Sequence, residues 1–163
     1  MEYMDKILLT AFCGTSSEML LKQASGFQTV LLPNDKVRDS ELVIDAISNG
    51  NFRYIFCFGQ KPLIKNKIFI ETTARNGQSC LQTAFDCTAA KNLFDESGFC
   101  ASLSNNAGTS FCNKLYYNVL EYLMQIGSDA ECVFIHIPFI ENITDTDSFF
   151  AGITQLLKHA ALP

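Results

Sequence analysis

The sequence predicts an α/β fold, a three-layer α/β/α sandwich with a mostly parallel central sheet. Three observations carry that expectation. Short apolar runs alternate with amphipathic helical segments along the chain, the connections between them are short, and Tyr54 to Phe58 is apolar at every position. A strand with no polar face suits a parallel sheet covered by helices on both sides, and the alternation itself points to strand–helix–strand crossovers. With 163 residues and no internal repeat, low-complexity tract or linker, residues 1–163 read as one domain.

Taken in order, Lys6 to Phe12 reads as a strand ending in small residues, and Ser16 to Ala24 as a helix with Ser16 or Ser17 at its start. Phe27 to Leu32 is a second strand, closed by Pro33-Asn34. Asp39-Ser40 then cap a helix whose Leu42, Val43, Ala46 and Ile47 share one face, and Asn49-Gly50 stops it. Tyr54 to Phe58 is the buried strand, and Gly59-Gln60 is its junction with a loop. Lys67 to Thr73 alternates in part and is expected as an outer strand, followed by an irregular polar stretch from Arg75 to Gln82. Asp86 to Ser97 reads as a helix ended by Gly98, Phe99 to Leu103 as a strand, and Gly108 to Met124 as a long amphipathic helix ended by Gly127. Cys132 to Ile137 is another buried strand, broken by Pro138, and a helix near Ser148 to Ala160 follows.

A formal charge of -5 and a pI near 4.9 leave no basic surface able to neutralise a run of phosphates, so nucleic acid is not an expected partner. Met1 is followed by Glu2 and Asp5 rather than by a basic and then an apolar region, which predicts no secretory signal. No segment approaches the ~20 apolar residues of a membrane span. A cytoplasmic protein is the expectation. Seven cysteines, an odd count without a C-x-x-C pair, read as reduced thiols, most of them small core residues like Cys57 in its apolar run. His136 and His159 are the only histidines, so no metal cluster is expected, and neither G-x-G-x-x-G nor G-x-x-x-x-G-K-[ST] occurs. No cofactor is implied.

The reactive residues gather in two segments. Ser104-Asn105-Asn106-Ala107-Gly108-Thr109-Ser110-Phe111-Cys112-Asn113 links a strand to the first turn of a long helix. Cys112 there faces a partial positive charge and unpaired N–H donors, which lowers a thiol pKa and favours the attacking thiolate. Phe134-Ile135-His136-Ile137-Pro138 puts an imidazole in an apolar strand just before its end. Taken singly, a packed core histidine and an inward-facing helix cysteine stay open as readings. Together, Cys followed by His on the next strand brings thiol and imidazole to one sheet edge, where α/β proteins gather their functional groups.

These residues resemble the pyroglutamyl peptidase I family, also called pyrrolidone-carboxylate peptidases. The segment from Ser104 to Asn113, with Tyr116 or Tyr117 after it, is similar to the family's S-N-x-A-G-x-x-x-C-N-x-x-x-Y. Phe134 to Pro138 is similar to its F-I-H-V-P, Gly59-Gln60 to its G-Q or G-L step, and Ile7-Leu8-Leu9-Thr10-Ala11-Phe12 to its opening V-L-V-T-G-F. The resemblance implies acyl transfer: Cys112 as nucleophile, His136 as its base, and hydrolysis of the amide after an N-terminal pyroglutamate. It further implies short peptides with a blocked N-terminus as substrates, a homo-oligomer among the expected states, and Phe12, Gly59 and Gln60 as substrate-binding residues.

The departures leave three points open. The family's E-P-F-G-G loop is replaced by Cys13-Gly14-Thr15 after Phe12, and its D-A-R-I-P-D-N-E-G segment is shortened to Ala74-Arg75-Asn76-Gly77. Asn66 stands where the family carries its catalytic Glu, so the third catalytic residue is Asn66 or, further along the same strand, Glu71. A thiol hydrolase of another small N-acyl or cyclic amide, and a catalytically retired binding protein, therefore stand beside the pyroglutamyl peptidase reading.

Overall fold

Strand order in the main sheet decides which side chains can meet at its rim. The computed structural model describes residues 3–160, so the reading of Met1 and Glu2 as lacking a secretory signal lies outside the described residues. The strands are β1 (Ile7–Phe12), β2 (Gln28–Leu32), β3 (Tyr54–Lys61), β4 (Lys67–Glu71), β5 (Thr73–Asn76), β6 (Ser79–Gln82), β7 (Cys100–Ser104) and β8 (Glu131–Pro138). The helices are α1 (Ser16–Gln23), α2 (Arg38–Asn49), α3 (Cys87–Glu96), α4 (Phe111–Gln125) and α5 (Thr146–Ala160). Six strands form one sheet in the order β2-β1-β3-β8-β4-β7, and β5 and β6 form a separate hairpin. The run β2-β1-β3-β8 is parallel throughout, β4 is antiparallel to β8, and β7 is parallel to β4. The expected α/β sandwich with a mostly parallel sheet is the fold found.

Alternation along each strand divides the apolar residues between two cores. Ile7, Leu9, Phe56, Phe58, Val133 and Ile135 pack with α1, α3 and α5 on one face. Leu8, Phe12, Ile55, Cys57, Cys132 and Phe134 pack with α2 and α4 on the other. Of the seven cysteines, Cys57, Cys87 and Cys132 are buried, Cys112 is half-buried, and Cys13, Cys80 and Cys100 are exposed. The expectation that most are core residues therefore holds for fewer than half.

The structure differs from the sequence reading at several boundaries, each for a local reason. Strand β4 is interior, flanked by β8 and β7, not an outer strand. Its alternation is imperfect because the polar Glu71 is fully buried and paired there. The polar stretch after it is the β5–β6 hairpin, with Asn76 opposite Ser79 and Gly77 at φ +61, as a two-residue hairpin loop requires. Helix α1 starts at Ser16, as expected, and the residue that caps it is Thr15, which accepts from the Ser17 N–H. Ahead of α2, Asp35 accepts from the N–H groups of Val37 and Arg38, so Asp39 and Ser40 lie inside the helix and are buried. Helix α4 begins at Phe111, because Gly108 at φ +91 holds the chain outside helical geometry.

Fully buried Tyr116 on α4 donates its hydroxyl to the Glu71 carbonyl at 2.8 Å and so ties the helix to β4. Tyr116→Phe removes that donor. Urea unfolding is expected to show a loss of about 1–2 kcal/mol, and unchanged stability would mean that another donor serves the carbonyl.

Candidate active site

Helix α4 delivers Cys112 onto the sheet at Gly59. A Cβ built on Gly59 would lie 2.7 Å from the Cys112 sulfur and 2.9 Å from Cζ of Phe134, so the sulfur occupies the space that glycine leaves open. Gly59 in β3 is the register partner of His136 in β8. Both side-chain positions face α2 and α4, since they follow Ile55 and Cys57, and Cys132 and Phe134, by alternation. Thiol and imidazole therefore share one rim of the sheet. Among the described residues no hydrogen bond joins them. The Phe134 ring packs on the His136 ring with centroids 4.8 Å apart, and Phe12 lies behind it at 6.4 Å from Phe134.

His136 is 3% exposed, and its Nδ1 lies 2.8 Å from Oε1 of fully buried Glu71. An ionised carboxylate can only accept, so Nδ1 carries the proton and Nε2 is left as the basic nitrogen. The same Oε1 receives Nζ of Lys61 at 3.1 Å. Burial pushes the Glu71 carboxyl up, but the hydrogen bonds from His136 and Ser104, followed by the charges of His136 and then Lys61, outweigh it and hold it below the usual carboxylate range.

Two expected site residues lie elsewhere. Asn66 accepts from the Thr144 N–H and donates to the Thr144 hydroxyl, each at 2.8 Å, so it is not the partner of His136. It precedes β4, whereas Glu71 closes that strand beside Phe134 in the β4–β8 register. Gln60 points to the opposite face from Gly59, where its carbonyl oxygen accepts from the Ser16 N–H at the start of α1. A strand's period of two makes neighbours diverge in this way.

The thiol lacks the lowered pKa expected from the helix start. Burial, followed by the nearby Cys57 and Glu71, pushes Cys112 up to about 12, and its own backbone N–H opposes this only weakly. Cys87 is likewise pushed up to about 11, first by burial. Raised thiols favour the protonated folded state, so their contribution is fully present below the ordinary value of 9.0 and is lost as pH climbs through about 11 and 12. Calorimetry in reductant is expected to show Tm falling steeply over that window; a flat Tm there would contradict the burial of these thiols.

The loop from Ser104 to Ser110 is fastened on both sides. Lys61 Nζ reaches the Asn106 carbonyl at 3.3 Å, and the Arg75 guanidinium reaches the Asn105 carbonyl at 3.3 Å. Asn113, next to the cysteine, accepts from the Arg75 N–H and donates to the Arg75 carbonyl, each at 2.8 Å, clasping the hairpin to α4. Ser110 offers no side-chain cap to α4, which leaves first-turn N–H groups beside the sulfur open as donors. Sequence reasoning missed Lys61 and Asn113. For Lys61 the available signal was a cation two residues past Gly59, hence on the same face.

A family model described as pyroglutamyl peptidase matches residues 65–154. A pyrrolidone-carboxylate peptidase from Fusobacterium nucleatum is 30% identical over 115 residues, 69% of this chain and 51% of that protein. One from a Thermoanaerobacter strain is 48% identical over 40 residues, 24% of this chain and 20% of that protein. The matched stretches thus span from a fifth to about half of these curated relatives. Among solved structures, pyroglutamyl peptidase I from Bacillus amyloliquefaciens superposes with a TM-score of 0.86 at 20% identity, covering 96% of this chain and 97% of that one. The pyrrolidone carboxyl peptidase of Fervidobacterium islandicum gives 0.81 at 18% identity, covering 94% and 96%. The family model spans more than half of the sequence, through both Cys112 and His136, and the chain belongs to the pyroglutamyl peptidase family.

Proposed function

We propose that the protein is a cysteine peptidase that hydrolyses the amide after an N-terminal pyroglutamate. One observation carries the reading: the Cys112 sulfur sits over Gly59 beside His136, whose Nδ1 is held by buried Glu71. In the proposed reaction His136 Nε2 takes the thiol proton as the sulfur attacks the pyroglutamyl carbonyl carbon. Because burial holds the thiol neutral, proton transfer accompanies attack instead of preceding it. The first-turn N–H groups of α4 donate to the developing oxyanion. The imidazolium then protonates the leaving amine as the C–N bond breaks. Water, deprotonated by His136, hydrolyses the thioester and frees pyroglutamate.

Phe12 is proposed as a wall of the ring pocket. Short peptides with a pyroglutamyl N-terminus are the proposed substrates. All seven cysteines are free, which suits a reducing cytoplasmic setting. A homo-oligomer belongs to the same proposal and is checked by light scattering on the eluted protein.

Purified, reduced protein is expected to release the fluorophore from a pyroglutamyl amide, to lose that activity when iodoacetamide modifies Cys112, and to yield a Cys112 acyl adduct on rapid acid quenching. Absence of turnover would overturn the peptidase reading. The high thiol pKa favours a second reading, a binding protein without turnover. In that case calorimetry detects pyroglutamate binding while the amide stays intact.

A further inference from the structure

The proposed chemistry uses Cys112, His136 and Glu71 but assigns nothing to the cation that shares their carboxylate. Lys61 Nζ lies 3.1 Å from Glu71 Oε1 and 3.3 Å from the Asn106 carbonyl, and it stands 4.6 Å from the Phe69 ring centroid. Its side chain is 27% exposed, against 0% for that of Glu71. The ammonium is thus held by three groups at once: the carboxylate and an aromatic face, both from β4, and the loop leading to the nucleophile.

Glu71 is served unevenly. Oε1 receives both His136 and Lys61, while Oε2 has no partner among the described residues. A buried carboxylate so placed depends on nearby positive charge to stay ionised. His136 cannot be a constant source of it, because its proton moves during the reaction. The lysine takes no part in that transfer. We infer that Lys61 is a positioning residue: by sharing Glu71 with His136 and pinning the Asn106 carbonyl, it sets the pH window in which Cys112 reacts. The inference deepens the cysteine peptidase reading and rests on it for its catalytic meaning.

The direction of the effect follows from charge alone. The titratable groups against this carboxylate are Lys61 from β3 and His136 from β8, and its charge also reaches Cys112 on α4 and Cys87 on α3; Cys57 on β3 and Asp39 on α2 act on Cys112, and Tyr116 on α4 bonds the Glu71 main chain. Of these, Lys61 alone is a lysine or arginine. Removing it raises the proton affinity of its neighbours. The whole Glu71 charge then falls on the thiol–imidazole pair, and the reaction is expected to need a higher pH.

The test uses the rate of Cys112 alkylation by iodoacetamide against pH, read by peptide mapping, alongside kcat/KM for a pyroglutamyl amide. Lys61→Met and Lys61→Gln are expected to move the acid limb of both profiles up by about one pH unit, while Lys61→Arg keeps the wild-type limb. Lysine serving only as packing would instead slow both reactions evenly with the limb unmoved, and that result overturns the inference. If one neutral variant does not fold, the other carries the test, since the partly exposed position accepts a polar side chain. Alkylation needs no substrate. A shifted alkylation limb in a protein that never cleaves the amide would sink the peptidase reading and leave the lysine assignment standing; turnover with an unmoved limb does the reverse.

Discussion

Cys112→Ala is expected to abolish turnover of a pyroglutamyl amide, and Glu71→Gln to lower kcat/KM by about 1,000- to 10,000-fold with the fold intact. The second figure is the scale of loss when an amide replaces the carboxylate of a nucleophile–histidine–acid group elsewhere. Its cause here would be specific. Glu71 Oε1 accepts from Nδ1 of His136, which leaves Nε2 free to take the thiol proton. A glutamine can turn its NH₂ toward the ring, reversing the tautomer and placing the proton on the wrong nitrogen. It also removes the charge that would stabilise the imidazolium. Asn66→Ala separates this account from the alternative in which Asn66 orients the imidazole. Asn66 lies at φ +49 and exchanges two hydrogen bonds with Thr144, so its loss is expected to cost about 1–2 kcal/mol of stability in urea unfolding while kcat/KM stays within about twofold. Should Asn66→Ala lose activity as deeply as Glu71→Gln, the assignment of the orienting group to Glu71 would be wrong.

Gly59→Ala is the second large effect expected. The added methyl would sit 2.7 Å from the Cys112 sulfur and 2.9 and 3.0 Å from two ring carbons of Phe134. Neither neighbour is a loose chain end. Cys112 is fixed in the first turn of α4, and Phe134 is wedged between Phe12 and Tyr116 at ring separations of 6.4 and 5.8 Å. The methyl must displace the sulfur, the ring or both, and overpacking of this kind costs about 1–3 kcal/mol. A displacement of about 1 Å at a reacting atom is worth about 100-fold in rate. Kinetics and urea unfolding of the same sample read both losses. Wild-type turnover by Gly59→Ala would mean that the working position of the sulfur is not over this strand.

Much of this was legible before any coordinates. Continuous apolar runs, Tyr54 to Phe58 and Cys132 to Ile135, identified β3 and β8, and glycines after periodic segments marked the ends of α3 and α4. Cys112 and His136 stood out because their segments are unusual in themselves, a cysteine at a strand-to-helix step and a histidine inside an apolar strand. Other features were written in the sequence but outweighed by polarity. Gly77-Gln78 opens on the glycine that a two-residue hairpin loop favours, yet the polar residues around it read as loop. Asp35 sits where an aspartate can cap α2 through its side chain, and the next Asp-Ser pair drew the assignment instead.

The sequence by itself determined the layered fold, the two strands that meet at the rim, and the thiol and imidazole as the pair to watch, because hydrophobic period and turn chemistry are local properties of the chain. Only the tertiary structure decided that Glu71 and not Asn66 holds His136, that Lys61 shares the carboxylate, and that the thiol is pushed up to about 12 instead of down. Those outcomes depend on the antiparallel register of β4 against β8 and on how much water is excluded where α4 meets the sheet. Pairing register and burial arise between segments distant in sequence, and no single segment encodes them.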